Sequence, residues 1–119
     1  MHNYKELKVW NKAVDLATDV YSLTKLFPSD ERFGLISQMQ RSAVSISSNI
    51  AEGAGRGTAS QFAHFLAVAY GSCFELATQL TIAKNLNFTD KDNFQMIDDK
   101  ISEVQKMIYR LKETVDSKV

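Results

Sequence analysis

The sequence predicts an all-α fold, an antiparallel up-and-down four-helix bundle, and three observations support this. Apolar residues recur at alternating steps of three and four along almost the whole chain, the spacing of one face of an α-helix. Three interruptions rich in Pro, Gly or Asn divide this pattern into four segments, and no segment alternates like a β-strand. With 119 residues, we expect one domain over residues 1–119 with a single core.

The first segment carries a wide apolar face. Its main stripe is Val9, Ala13, Leu16, Val20, Leu23 and Phe27, and the neighbouring stripe is Leu7, Trp10, Val14, Ala17 and Tyr21. Pro28 is expected to end this helix, because proline disfavours helical geometry in the residue before it. Ser29 is then predicted to cap the second helix, with Asp30 and Glu31 in the first turn, where the helix dipole favours acids.

A glycine-rich stretch separates the second and third segments. The second stripe is Leu35 or Ile36, Met39, Ala43, Ile46 and Ile50, and the third is Phe62, Leu66, Ala69, Cys73, Leu76, Leu80 and Ala83. The stretch 53–57, Gly-Ala-Gly-Arg-Gly, is expected to stop the second helix because glycine readily adopts left-handed geometry at helix ends. Thr58 with Gln61 predicts a capping box that opens the third helix.

The fourth segment follows the stretch 85–88, Asn-Leu-Asn-Phe. Thr89 with Asp90 and Asp92 predicts the new helix start. Its stripe is Phe94, Ile97, Ile101, Val104, Ile108, Leu111 and Val115. Short connections make neighbouring helices antiparallel, and heptad-like stripes favour nearly parallel packing of their axes.

Composition and cysteine usage narrow the class of protein. The net charge of +0 counts against a strongly basic nucleic-acid binder, although the distribution of charge matters more than its sum. The lone Cys73 excludes an internal disulfide and indicates a reducing, cytoplasmic compartment, and residues 1–6 show no secretory signal pattern. The run 62–83 is the one candidate membrane span, and its stripe together with Glu75 favours a core helix.

Charge is distributed unevenly along the chain. Between Phe33 and Thr89 the charged residues are Arg41, Glu52, Arg56, Glu75 and Lys84. The second helix also carries a polar stripe, Gln38, Ser42, Ser45, Asn49 and Glu52, and the third a second face, Phe65, Val68, Ser72, Glu75 and Gln79. Such a surface suits close helix packing or a subunit interface, and the alternative is a Ser-rich exposed face in a monomer. We expect a homo-oligomer.

Many of these residues together resemble one protein family. They are Phe27-Pro28, Glu31, Leu35, Gln38, Arg41, Ala43, Ser45, Ile46, the run 48–53 (Ser-Asn-Ile-Ala-Glu-Gly) and Gly55-Arg56, extended by Trp10 with Ala13, Phe65-Leu66, Gly71-Ser72 and Glu75-Leu76. The chain resembles the four-helix-bundle proteins encoded in intervening sequences of bacterial large-subunit ribosomal RNA genes. The run 48–53 is the most specific part of this resemblance.

The resemblance implies an up-down-up-down bundle, assembly into a ring, expected to be a pentamer, and no established enzymatic activity. It does not imply a ribosome component. The family is also similar to accessory proteins of diversity-generating retroelements, basic pentameric barrels that bind nucleic acid and a reverse transcriptase. This chain differs from them in being net neutral.

No catalytic, cofactor-binding or metal site is predicted, and we expect no enzyme. Cys73 and His64 are the obvious nucleophile and base, but they lie nine positions apart in one helix, about 13 Å along its axis. Cys73 also lies on the core stripe, which favours a buried small hydrophobic residue. Asp98, Asp99 and Glu103 have no Glu-x-x-His partner motif, so a di-iron bundle is excluded.

Two basic clusters are the candidate nucleic-acid contacts. Lys5, Lys8 and Lys12 are predicted to share a face of the first helix, and Lys106 and Arg110 share one on the fourth. In a ring these cations would form a track for phosphates, whose affinity falls with salt, and the alternative is an ordinary solvated face.

Further candidates lie on the middle helices. Arg56, in the glycine-rich stretch, is a further phosphate candidate, with a plain helix-to-helix turn as its alternative. Arg41 and Glu52 are three turns apart and cannot pair within one helix, so they, with Gln38, Ser45 and Asn49, are candidates for contacts to a neighbouring helix or subunit. The leading hypothesis is a non-catalytic, homo-oligomeric bundle that binds structured RNA or DNA. The rival is a protein-interaction scaffold without nucleic-acid affinity.

Overall fold

Residues 2–119 are described by a computed structural model and form four α-helices without a strand. The helices are α1 (Lys8–Thr24), α2 (Leu35–Ala54), α3 (Ala59–Asn85) and α4 (Lys91–Asp116), with short 3-10 turns at Tyr4–Glu6 and Ser29–Glu31. Each helix packs against the next, and α4 returns to α1, so the bundle closes with dimensions of 45 × 23 × 20 Å. The predicted fold class is confirmed.

The core consists of the four predicted stripes. Their fully buried large side chains are Leu16, Val20, Met39, Ile46, Ile50, Leu66, Leu76, Leu80, Ile97, Ile101, Val104 and Ile108. Leu35 is buried whereas Ile36 is partly exposed, which resolves the alternative left open at the start of α2. Phe94 and Leu111 lie at the edge of the core. Apolar periodicity therefore identified the buried face of every helix.

The connection between α1 and α2 differs from the prediction. α1 ends at Thr24, so Phe27 lies in a turn, although its side chain remains buried. Ser29 does not cap α2, because it opens a 3-10 turn and α2 begins only at Leu35 with Gly34 as its N-cap residue. The carboxylate of Glu31 accepts a hydrogen bond from the Leu35 N–H at 3.3 Å and thus satisfies a free donor at the helix start.

Glycine is required at the α2–α3 contact for a different reason from the predicted one. No glycine of residues 2–119 has a positive φ, so left-handed geometry does not end α2, and the C-cap residue Gly55 has an ordinary φ of −81°. Gly53 is buried where the two helices approach closely. A Cβ atom there would lie 2.7 Å from the Cβ of Phe65 and 3.0 Å from a ring carbon of Phe62.

Left-handed geometry occurs instead after α3, at Asn87, whose φ is 61°. The Phe88 N–H donates to the Ala83 carbonyl at 2.9 Å, and the Asn87 N–H donates to the Lys84 carbonyl at 3.0 Å. This pair of bonds is a Schellman motif, in which asparagine can replace glycine. The Phe88 ring then packs against Phe27, with ring centroids 5.6 Å apart, and closes this end of the bundle.

Side-chain caps start α3 and α4. The Thr58 hydroxyl accepts from the Gln61 N–H at 3.1 Å, which confirms the Thr58 half of the predicted capping box. The Gln61 side-chain oxygen accepts from that hydroxyl at 3.2 Å rather than from the Thr58 backbone N–H. In α4 the cap is Asp90, not Thr89, and its carboxylate accepts from the Asn93 N–H at 2.7 Å. Each cap satisfies a backbone donor that the helix itself leaves free.

Candidate nucleic-acid interface

A groove between α1 and α4 brings together cations from the two ends of the sequence. Lys8 and Lys12 lie one turn apart on α1, and Lys106 and Arg110 lie one turn apart on α4. The groove has a volume of about 320 Å³ and is lined by Lys8, Lys12, Glu103, Lys106, Met107 and Arg110. We call it the basic groove. The structure therefore places four of the predicted contacts in one feature.

The basic groove has an excess of positive charge. Its lining contains four cations and one carboxylate, so its formal charge is 4 − 1 = +3. Lys12 Nζ lies 3.4 Å from Glu103 Oε1, in an ion pair that is about half exposed. No ion pair joins Lys8, Lys106 or Arg110 to a carboxylate of residues 2–119. Those three cations are available to an anionic ligand.

Lys5 lies outside α1 and does not line the basic groove, so the prediction that it shares a face of the first helix with Lys8 and Lys12 was wrong. α1 begins at Lys8, and Lys5 lies in the preceding 3-10 turn. In that turn the Lys5 N–H donates to the Asn3 side chain and the Leu7 N–H donates to the Tyr4 carbonyl. The extended backbone at Leu7, with ψ of 118°, interrupts the helical periodicity between Lys5 and Lys8. Spacing of three and four residues aligns side chains only within one continuous helix.

Arg56 lies at the end of the bundle, apart from the basic groove. Its Nη2 atom lies 2.7 Å from Glu52 Oε1, and its guanidinium lies over the Phe65 ring at 4.9 Å from the centroid. It lines a separate cavity of about 250 Å³ together with His2 and Lys118. Its charge is thus partnered by Glu52 of α2, as expected for a structured helix-to-helix connection.

A second groove, between α3 and α4, shares two cations with the basic groove. It has a volume of about 370 Å³ and is lined by Tyr70, Gln105, Lys106, Tyr109 and Arg110. We call it the tyrosine groove. The rings of Tyr70 and Tyr109 lie 6.1 Å apart between centroids, and Phe74 packs edge-on against Tyr70 at 5.1 Å.

Sequence reasoning missed these aromatic residues. Two signals were present: the spacing of four residues between Tyr70 and Phe74, and the position of Tyr109 directly before Arg110. Tyr109 remains 52% exposed, although it belongs to the same helix as the core stripe. A ring of this size that is only half buried, beside free cations, is a candidate contact for a ligand.

The polar stripe of α2 is partly consumed inside the chain. Ser42 and Ser72 are buried between α2 and α3, and the hydroxyls of Ser45 and Ser72 are 2.9 Å apart. The Asn49 amide donates to the Ser45 carbonyl at 2.7 Å and to its hydroxyl at 3.0 Å. Together with Gly53, these small side chains allow close packing of the two helices, one of the two outcomes the stripe predicted.

The remainder of the predicted contact set is solvent-exposed. Glu52 pairs with Arg56, while Arg41 makes no ion pair within residues 2–119 and borders an open groove of about 530 Å³ with Tyr21 and Val44. Gln38 is exposed on the same side of α2. On α3, Val68 and Ile82 are 40% and 44% exposed. We call the surface formed by Gln38, Arg41, Val68 and Ile82 the outer α2–α3 face. It combines low charge with exposed apolar side chains.

Cys73 and His64 are not brought together. Cys73 is fully buried in the core, and burial raises the pKa of its thiol to about 12. His64 is exposed and packs against Phe65, with ring centroids 5.3 Å apart. The interpretation of Cys73 as a small core residue is confirmed, because desolvation keeps the thiol neutral. Residues 2–119 contain no cluster of three or more His, Cys, Asp and Glu side chains arranged to hold a metal ion.

By length and composition α3 is also apolar enough to cross a membrane, with mean hydropathy of 1.3 over its most apolar window. In the bundle its stripe from Phe62 to Ala83 is buried against the other helices. The core helix of a bundle meets the same criterion, so this composition alone does not indicate a membrane span.

These features define an antiparallel four-helix-bundle protein with one charged long side and one charge-poor long side. The chain belongs to the 23S rRNA-intervening sequence protein family, which it matches over residues 5–110. This confirms the family that the sequence resembled. The chain is also similar in structure to a protein of unknown function from the S23 ribosomal protein family of Bacteroides thetaiotaomicron VPI-5482.

That structural match has a TM-score of 0.82 and 21% sequence identity, and it covers 88% of this chain and 95% of the other. At such low identity the likeness concerns the fold alone. No curated protein matches the sequence.

Proposed function

We propose that this protein is a non-catalytic, homo-oligomeric bundle that binds structured RNA or DNA through the basic groove. The observation that carries the proposal is the convergence of Lys8, Lys12, Lys106 and Arg110 around one groove with a formal charge of 4 − 1 = +3. Phosphate oxygens are the partners such a surface favours, because bound cations displace the counterions of nucleic acid. The positive charge is concentrated at one groove, so binding of phosphates there is compatible with a net charge of +0 for the whole chain.

Assembly would multiply this effect. The exposed apolar side chains of the outer α2–α3 face, Val68 and Ile82, favour a contact with another copy of the chain, and a ring would then repeat the basic groove around its axis. A pentamer, and a relation to the accessory proteins of diversity-generating retroelements, are part of this proposal. We also propose a cytoplasmic setting, which the single cysteine supports because the chain forms no internal disulfide.

Fluorescence anisotropy of labelled hairpin RNA and duplex DNA, titrated across a salt series, tests the binding. We expect dissociation constants in the micromolar range or tighter at low salt, and a linear fall of log affinity with log salt. The slope estimates the number of phosphates contacted. Absence of binding to either probe at low salt would refute the proposed function.

Light scattering tests the assembly. We expect a mass that is a multiple of the 13.4 kDa chain, five-fold for the proposed pentamer. A monomer mass at micromolar concentration would contradict the oligomer. The two measurements are independent, so nucleic-acid binding by a monomer would contradict the oligomer and still support the binding.

The charge-poor α2–α3 face supports a second candidate, a protein-interaction scaffold. Gln38, Arg41 and the exposed Val68 offer amide, guanidinium and apolar contacts of the kind found in protein interfaces. This function predicts that reversing the charge of the basic groove leaves partner binding unchanged. It also predicts no salt-sensitive binding of RNA or DNA.

A further inference from the structure

We propose that the tyrosine groove binds unpaired bases, which stack on Tyr109 while the adjoining phosphates contact Lys106 and Arg110. This inference rests on the proposed nucleic-acid function and names the part of the nucleic acid that this surface takes. It depends on Lys106 and Arg110 of α4, which line both the basic groove and the tyrosine groove and so form a ridge between them. We call this pair the α4 ridge.

The aromatic side of the ridge offers ring surface to a ligand. Tyr109 is 52% exposed, and Tyr70 lies 6.1 Å from it at a tilt of 43°, so the two rings are held beside each other without a parallel stack that would cover their faces. Tyr70 is partly buried and packs against the core and against Phe74, which fixes this platform. A base has a flat π face that matches such a platform, whatever its identity.

The charge around the rings favours a nucleotide over an apolar or acidic peptide ligand. The described residues that line the tyrosine groove include two cations, one amide and two phenol rings, and none is Asp or Glu. The phosphates of a nucleotide chain would contact Lys106 and Arg110, and the base, joined to the phosphate through the sugar, would reach the Tyr109 ring beside them. An acidic peptide would use the cations and leave the ring faces without a planar partner.

The bases must be unpaired. In a duplex each base is stacked between its neighbours, and its faces are inaccessible to a side chain that lies on the protein surface. Loops, bulges and single strands expose those faces, and aromatic stacking then contributes to affinity for every sequence. A structured RNA with a loop would therefore contact the basic groove through its helix and the tyrosine groove through its loop.

Three probes of equal length separate stacking from charge: single-stranded oligothymidylate, the same strand with abasic sites, and a DNA duplex. We expect oligothymidylate to bind about five- to 150-fold more tightly than the abasic strand, the range for stacking of one base on an aromatic side chain. Tyr109→Leu should reduce oligothymidylate binding to the abasic level and leave the abasic strand and the duplex unaffected. Tyr109→Phe should retain the advantage because it keeps the ring.

The control is Tyr21→Leu, which removes a tyrosine of similar exposure, 42%, from a different groove. It should change no affinity. Equal binding of oligothymidylate and the abasic strand to the native protein, or an equal loss in both tyrosine variants, would overturn the inference. In that case salt-sensitive binding of the duplex would still support the proposed function, whereas failure of all three probes would refute both.

Discussion

The two long sides of this bundle achieve helix packing by different means. Between α2 and α3 the contact is made by small residues, with Gly53 beside Phe65 and the hydroxyls of Ser45 and Ser72 at 2.9 Å. Between α1 and α4 the edges of the contact carry long charged side chains, such as Lys12 with Glu103 at 3.4 Å. The α2–α3 contact is close and nearly uncharged, whereas the α1–α4 contact is bordered by charged side chains.

This difference has separate consequences for stability and for the proposed nucleic-acid binding. Small side chains between helices bring the backbones near each other, so an added atom there forces side chains or helices to shift and lowers the free energy of unfolding. Exposed ion pairs contribute little to folding because water screens them, but unpaired cations on the same side can attract a polyanion. Substitutions between α2 and α3 are therefore expected to change stability, whereas substitutions of the cations between α1 and α4 are expected to change the proposed nucleic-acid binding.

The largest expected effect comes from reversing the charge of the basic groove, the proposed binding surface. We expect Lys8→Glu with Lys12→Glu to weaken nucleic-acid binding by about 100-fold or more at low salt, and to lower the salt slope by about 2, because two phosphate contacts become repulsive. Lys25→Glu with Lys91→Glu is the matched control, since both lysines are exposed at the opposite end of the bundle. Equal losses in both double variants would show that the groove is not the binding surface.

The next effect concerns the close side. We expect Gly53→Ala to lower the free energy of unfolding by about 2 kcal/mol, because the new Cβ would lie 2.7 Å from the Cβ of Phe65 and the helices would have to move apart. Urea denaturation measures the change. Gly71→Ala, on the exposed side of α3 with no atom near the new Cβ, should instead stabilise by up to about 1 kcal/mol. Two changes of the same sign would contradict this account of Gly53.

A smaller effect is expected at the hydroxyl pair. Ser72→Ala removes the Ser45–Ser72 hydrogen bond and the bond from the Ser72 hydroxyl to the Val68 carbonyl at 3.2 Å. We expect a loss of about 1 kcal/mol, because Asn49 still donates to the Ser45 hydroxyl and the Val68 carbonyl lies within a helix. The comparison is Ser22→Ala, at an exposed position of α1, and the unfolding free energy of that variant should scarcely change. Equal unfolding midpoints for both variants would argue against a structural role for the hydroxyl pair.

The smallest effect on stability is expected at the charged edge. Glu103→Gln removes the half-exposed ion pair with Lys12, and the change in unfolding free energy should stay below about 0.5 kcal/mol. Nucleic-acid affinity should rise several-fold, because the groove loses its one carboxylate. Glu113→Gln, outside both grooves, serves as the control for total charge. A rise of equal size in the two variants would remove the special role of Glu103.

Much of the fold could be predicted because helices are local structures. The stripes, the Thr58 cap and the break after Asn85 depend on residues within about one turn of each other, and all three were identified. The errors fell at connections. Serine is a preferred residue at helix N-caps, which is why Ser29 was predicted to cap α2. The chain instead forms a 3-10 turn at Ser29, and Phe27 and Leu35 on either side of this turn are buried in the core.

The candidate site was predictable in part. The spacing of Lys8 with Lys12, and of Lys106 with Arg110, placed each pair on one face of its own helix. That the two pairs line one groove follows from the packing of α4 against α1, which no local pattern encodes. Tyr70 and Tyr109 were missed for the same reason, since they belong to different helices and meet only across a helix pair.

The sequence by itself determined that the chain is helical, that it has four helices and which face of each helix is buried. These properties arise from the periodicity of apolar side chains over neighbouring turns. Only the tertiary structure decided that Gly53 serves close packing, that Ser45 meets Ser72, and that the cations share a ridge with Tyr109. Such contacts depend on the distance and rotation between helices, which are set when all four buried faces pack together.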